Sequence, residues 1–413
     1  MRQVFVLIHR YVGLTLTLFL MLAGVTGSFI AFYDELETQL HPEFRRVQLP
    51  AQQAAISAVT LATMLQTQYP DAMFNRINLQ HAADEPVSFY LQPRPGNKHG
   101  LANDEIFVNP YTGQVLAQRK WGDITQGSIN LLPFLYRLHY SLALDKTGRL
   151  ILGVLALLWT VDCFIGAYLT WPARQRKAGL IKPALTAQAQ PNTWLRRWWR
   201  AWQVRWQGGA AKVNFDLHRA GGLWLWAMLL VFAWSSVAFN LRDVYYPVMG
   251  TLFSKQGFGE EIPRLAQPLL HPRLDAHAAL ATGRSLMQQL SLAMQFAIHH
   301  EAKLYYDAGK GTYTYIVNSS RDVSEKSANT AVMFNANSGE RLAVYLPTGA
   351  AAGDSITQWL LALHTAKVWG LPMQIFVSAM GVGVFGLSVT GVLIWLKKRQ
   401  ARQRVRQLKH AQL

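Results

Sequence analysis

The sequence predicts an α-helical membrane protein with α+β extracytoplasmic domains, carrying four transmembrane helices that arose by internal duplication. Three observations predict this. The chain has four long apolar runs, its basic excess is confined to the segments on one side of them, and two motifs recur at nearly one offset. Each half then reads as helix, outer domain, helix, and the halves should be related by a pseudo-twofold axis along the membrane normal.

Residues 11–33 are 23 in number and uncharged. At about 1.5 Å rise per residue they cross a hydrocarbon core of about 30 Å. The run exceeds a signal-peptide core, and no small-x-small cleavage site stands ahead of Asp34, which reads as a retained helix. The second run, 150–171, is interrupted by Asp162 alone. The third, 220–239, is followed by Asn240 and Arg242, and the fourth is 371–396. Read as unbroken spans without charged centres, these argue against a transporter.

Charge sets the expected orientation. The chain carries a net +17, and segment 172–219 holds ten basic residues against Asp216 alone. The tail beyond Leu396 has seven basic residues and no acid, and Arg2 and Arg10 precede the first run. Segments 34–149 and 240–370 are each within one charge of neutrality. By the positive-inside rule both termini and the middle loop are cytoplasmic. Bilayer topology accounts for the basicity, so no nucleic-acid partner is needed. The aromatic-basic run from Trp194 to Trp202 reads as an interfacial helix among lipid headgroups. The expected divisions are a transmembrane helix at 1–33, an outer domain at 34–130, and a surface helix with the second span at 131–171. A basic loop at 172–217, a third span at 218–239, a second outer domain at 240–354, a surface helix with the fourth span at 355–396, and a basic tail at 397–413 complete the chain.

The outer segments resemble each other. The first offers a helix at 52–68, a β-prone run at 87–91, and two strands with a tight turn across 106–116; the second offers a helix at 275–298, a strand at 313–317 and a hairpin across 332–342. Asn109, Gly113 and Leu116 recur as Asn335, Gly339 and Leu342, an offset of 226 residues.

Four histidines flank the four spans. His139 and His364 are 225 residues apart and stand just ahead of the second and fourth spans; His9 and His218 open the first and third. A twofold axis along the membrane normal sets His9 level with His218 on the cytoplasmic side and His139 level with His364 on the outer side. Two facing imidazoles are what a six-coordinate haem iron requires. Arg10, Arg219, Arg137 and Lys367 lie beside them and are suited to neutralising haem propionates. Taken singly, each histidine reads more readily as an interfacial anchor or helix-end partner than as a ligand. The single cysteine, Cys163, excludes an intramolecular disulfide, a cysteine-ligated iron–sulfur cluster and the CxxCH attachment of c-type haem, so any redox cofactor must be held by other ligands. Asp162 reads as a site of proton uptake or quinol contact, or as a hydrogen-bonded carboxyl between helices. His299-His300-Glu301 reads as a metal or substrate contact or, more readily, as a solvated helix end.

The runs His9-Arg10-Tyr11-Val12-Gly13-Leu14 and Leu138-His139-Tyr140-Ser141-Leu142, with Gly24-Val25-Thr26-Gly27-Ser28 and Gly166-Ala167-Tyr168-Leu169-Thr170-Trp171 at the span ends, resemble the PepSY-associated transmembrane family. The resemblance covers the chain to about Lys398, with PepSY-like outer domains. It departs from the pattern at Ala220 and at Thr365-Ala366-Lys367. It is closest to siderophore-iron reductases of the ferrioxamine reductase type in the bacterial inner membrane. The resemblance implies a dihaem b-type enzyme that takes electrons from a quinol or a cytoplasmic reductase and reduces a ferric siderophore on the periplasmic side. A membrane-anchored PepSY-type sensor or peptidase-regulating module, in which no electron moves, is the competing expectation.

Overall fold

The computed structural model describes residues 1–97, 99–173 and 194–410. Residues 174–193 of the expected basic loop, including Arg174, Arg176, Lys177 and Lys182, lie outside the described residues, as does the end of the tail. The chain divides into two compact units, one formed by Met1–Phe29, His139–Arg242 and Ile375–Leu413, the other by Ile30–Leu138 and Asp243–Gln374.

The first unit is helical. Three of its helices, Arg2–Ile30, Asp145–Thr170 and Leu371–Leu408, are long and apolar enough to cross a membrane. The third predicted span is not one straight helix. Ala210–Trp224 and Trp226–Asn240 meet at a bend of 67°, and count as a fourth span only when taken together. The break falls at Leu225, whose φ of −95° and ψ of −3° lie at the edge of the right-handed helical region, just after Gly221-Gly222, the weakest helix formers in the run. The sequence argument against transport relied on unbroken spans and loses its support here. The fourth helix also runs well past the predicted span, to His410, so the basic tail continues as helix.

Close helix contact in this unit depends on missing side chains. A Cβ on Gly24 would stand 2.6 Å from the carbonyl oxygen of Gly381, and one on Gly381 would stand 2.4 Å from that of Gly24. The backbones of the first and last helices therefore meet directly, as small residues permit. The Ser28 hydroxyl straddles the crossing, within 2.9 Å of the Gly24 carbonyl and 2.8 Å of the Ser378 carbonyl. The aromatic-basic run is a short helix, Trp194–Trp199, followed by a 3-10 turn, Arg200–Trp202. Trp198 stacks on Trp194 at 5.5 Å, meets Trp202 edge to face at 5.4 Å and donates its indole N–H to Thr170.

In the second unit the two outer segments, expected as separate domains, share one eight-stranded sheet. Its order runs 341–345, 330–335, 312–319, 298–307, 76–78, 87–90, 105–108, 115–119. Read outward from the centre, the strands of each half appear in the same sequence order, the arrangement a twofold axis produces. The halves join where Arg76, Ile77 and Asn78 pair antiparallel with Tyr305, Leu304 and Lys303. A single core of Leu61, Leu65, Ile106 and Val108 with Met287, Leu290, Val317 and Phe334 spans both halves.

The repeat is exact at the turn motif. Gly113 has φ +72° and donates its N–H to the Asn109 carbonyl at 2.9 Å; Gly339 has φ +75° and donates to the Asn335 carbonyl at 2.9 Å. The Asn109 and Asn335 side chains each accept the amide of the residue two positions on, at 2.9 and 2.8 Å. Glycine at a left-handed position and asparagine as an Asx acceptor are what this turn demands. The helices are Ala58–Gln68, capped by Ser57, and Ala276–Met294, capped by Asp275. His299, His300 and Glu301 lie in the strand Ile298–Asp307, not at a helix end, and Glu301 forms a two-pronged ion pair with Arg284 at 2.6 Å. A buried triad completes this unit. Arg119 donates to Glu105 at 2.5 Å and to Glu37 at 2.6 Å, all three side chains being at most 3% exposed.

Candidate functional site

His9 lies on the first span and His218 on the segment before the bend, and the structure brings them together. Their ring centroids are 6.2 Å apart with planes inclined at 53°. They face a cavity of about 460 Å³ in the helical unit, lined also by Gly13, Asp162, Gly166, Gly222, Gly391 and Lys398.

What each Nδ1 touches settles which nitrogen is available. His218 Nδ1 lies 3.1 Å from the Leu387 carbonyl oxygen and 3.1 Å from the Thr390 hydroxyl. A carbonyl only accepts, so Nδ1 carries the proton and the lone pair of a neutral ring is on Nε2. His9 Nδ1 lies 2.9 and 3.0 Å from the two carboxylate oxygens of Asp162, with the same consequence for the neutral ring. Both imidazoles are thus held through Nδ1 by fixed acceptors, the arrangement that orients metal-ligating histidines.

Each ring also rests on a glycine. A Cβ on Gly166 would meet Cε1 of His9 at 3.4 Å, and a Cβ on Gly391 would meet Cε1 of His218 at 3.2 Å. Gly166 and Gly391 are 225 residues apart, the offset that separates His139 from His364. Each half of the chain therefore builds the same histidine-on-glycine contact between its two spans.

Two imidazoles bound to opposite faces of one metal through bonds of about 2.0 Å, with each nitrogen about 1.1 Å from its ring centre, place their centroids about 6 Å apart. The observed separation fits that spacing, and it is shared with a cavity whose small residues leave room for a flat ligand. Among the described residues no group of three or more His, Cys, Asp or Glu side chains could hold a bare metal ion. A two-histidine axial couple makes no such demand.

The cations of the site differ in availability. Arg219 is committed: its guanidinium donates to Asp216 at 2.9 Å and to the carbonyls of Arg200 and Ala201 at 2.9 and 3.2 Å. Arg2 closes the C-terminal end of the second span through the carbonyls of Leu169 and Trp171. Arg10 and Lys398 line the cavity, and neither side chain has a hydrogen-bond or ion-pair partner among the described residues. Trp226 also lines it and donates to the Cys163 carbonyl at 3.0 Å.

His139 belongs to the helical unit, where its Nδ1 is 2.9 Å from the Thr26 hydroxyl. That hydroxyl also contacts the Leu22 carbonyl at 2.7 Å, as a donor, so it accepts from His139. A Cβ on Gly27 would stand 3.1 Å from Cε1 of His139. His364 belongs to the other unit and ends the helix Ala352–His364, half-buried. Arg137 and Lys367 are also in that unit, Arg137 reaching the Gly122 carbonyl at 3.4 Å. Left-handed non-glycine residues follow each of these histidines, Leu142 and Ala143 in one copy and Ala366 in the other.

The partners of the rings were not legible beforehand. Asp162 was visible as an unusual carboxyl, but its pairing with His9 was not; Thr390 and Lys398 gave no signal. The glycine pair did, through its 225-residue spacing. A family model described as the PepSY-associated TM region matches residues 6–398. A search of curated proteins found no match.

Proposed function

The chain belongs to the PepSY-associated transmembrane family, and on that premise we propose that it is an inner-membrane b-type haem reductase that passes electrons outward to the iron of a ferric siderophore. The observation that carries the reading is the His9–His218 couple. Its rings are 6.2 Å apart, Nδ1 of each is held by an acceptor, and Nε2 is left as the available donor toward a shared cavity.

In this reading His9 and His218 would hold the iron of one haem b, and Arg10 and Lys398 would be the available cations for its carboxylates. Haem so held supplies reversible one-electron chemistry. Asp162 and the Leu387 carbonyl keep the imidazoles oriented, and Gly166 and Gly391 let the rings sit against the neighbouring spans. By the sequence repeat alone, the proposal includes a second haem b per chain. The excess of basic residues in the middle loop and tail supports cytoplasmic termini and an outward-facing sheet unit.

The balance is simple. One electron converts one ferric chelate to ferrous, and a quinol, which yields two electrons and two protons, serves two chelates; a cytoplasmic flavin reductase would serve equally as donor. Iron(II) holds hard oxygen donors less tightly than iron(III), so a single electron loosens the chelate.

The test is a reduction assay in proteoliposomes. Protein from haem-replete cells, supplied with a quinol, should reduce an added ferric hydroxamate, read by a dye specific for iron(II), and His9→Ala should abolish this. Protein that is colourless from such cells and inert in the assay would instead favour the non-redox PepSY-type sensor.

A further inference from the structure

The two proposed axial ligands are not held alike. His9 gives its Nδ1 proton to a carboxylate that is 9% exposed and grips it with both oxygens, at 2.9 and 3.0 Å. His218 gives its proton to neutral acceptors, the Leu387 carbonyl and the Thr390 hydroxyl, each at 3.1 Å. The duplication keeps the position but not the charge: at the 225-residue offset that relates Gly166 to Gly391, Asp162 corresponds to Leu387, which offers His218 its backbone carbonyl and no carboxylate. The second half has lost, or never had, a carboxylate behind its ring.

A carboxylate buried among apolar helices is costly unless a positive charge stands near it. No Lys or Arg side chain pairs with Asp162 among the described residues; its partner is His9. A cation bound at Nε2 of His9 would supply the missing charge through the ring. The carboxylate in turn makes the imidazole a stronger donor than one bonded to a carbonyl.

We infer that Asp162 is a positioning residue for the proposed haem, fixing His9 with Nε2 toward the cavity and making it the more basic of the two ligands, so that the iron(III) state is favoured and the midpoint potential is set low. This inference rests on the haem reading. A low potential suits an electron donor to a ferric chelate, because a tightly chelated iron(III) is itself hard to reduce. Thr390 makes the neutral counterpart and tunes little, since the Leu387 carbonyl remains if the hydroxyl is removed.

The experiment is a spectroelectrochemical titration of the full-length protein in detergent, comparing wild type with Asp162→Asn and Thr390→Val. We expect Asp162→Asn to retain haem and shift the midpoint upward, with Thr390→Val unchanged. An Asp162→Asn midpoint equal to wild type, or an equal rise in Thr390→Val, overturns the inference. If Asp162→Asn cannot hold haem, Asp162→Glu decides: retained haem at the wild-type potential supports the carboxylate's role, and lost haem or a raised potential refutes it. A colourless wild type would defeat the haem reading itself, which is a different result from coloured protein with an unmoved potential.

Discussion

Replacing Gly24 by alanine tests the helix crossing that sets His9's span against the helix carrying Leu387 and Thr390. The new methyl would stand 2.6 Å from the Gly381 carbonyl oxygen and 3.4 Å from the Phe385 amide nitrogen. Ordinary carbon–oxygen contact begins near about 3.4 Å, so the backbones must part by roughly 0.8 Å. Neither obstacle is a side chain that can rotate away. Parting by that amount also lengthens the 2.8 Å contact from Ser28 to the Ser378 carbonyl beyond hydrogen-bonding range. Overpacking and the lost bond together come to about 2–4 kcal/mol. Gly386→Ala is the control, because a Cβ there meets nothing within 4 Å. Unfolding in detergent, followed by circular dichroism, should show a clear drop in midpoint for Gly24→Ala and none for Gly386→Ala. Equal midpoints would refute the direct backbone contact.

Further expectations concern the site and the sheet unit. Gly391→Val drives a branched side chain into Cε1 of His218, already 3.2 Å from the position of a Cβ, and should lower haem content while leaving helical circular dichroism intact. Arg119→Met strands Glu37 and Glu105 as buried carboxylates and should cost about 3–5 kcal/mol in denaturant unfolding. Hydrogen bonds from Arg284, then from Tyr315, hold the Glu301 carboxyl below the usual glutamate range. Because the folded value is the depressed one, its stabilisation is full above the ordinary glutamate pKa and is lost as pH falls through the folded value. Glu301→Gln should therefore flatten that acid limb of the stability curve. A pyridine haemochrome assay should count two haems per chain, and His139→Ala should reduce the count by one.

The sequence carried the helical and strand periodicities, the recurring Asn–Gly turn and the candidate histidines, because those are written in spacing. The Asn109/Gly113 and Asn335/Gly339 turns followed from backbone conformations few other residues adopt. The joining of the outer segments into one sheet did not follow, since strand 76–78 is only three residues long and its partner 298–307 lies more than 200 positions away. Nor did the bend at Leu225, because apolar composition measures length and is blind to a change of direction between two helices. The pairing of Asp162 with His9 depends on how two spans rotate about their axes, a property of packing that no local pattern records. The cation set changed for the same reason: Arg219 sits beside His218 in sequence, yet its donors are taken up by Asp216 and by carbonyls of the aromatic-basic run.

The most direct measurement is the ferric and dithionite-reduced absorption spectrum of the purified protein alongside His9→Ala and His218→Ala. The account predicts a red wild-type protein with a low-spin, two-histidine spectrum whose Soret band shifts on reduction, and loss of one haem in each variant. A colourless wild type from haem-replete cells, or the same haem content and spectrum when both histidines are replaced together, would contradict it.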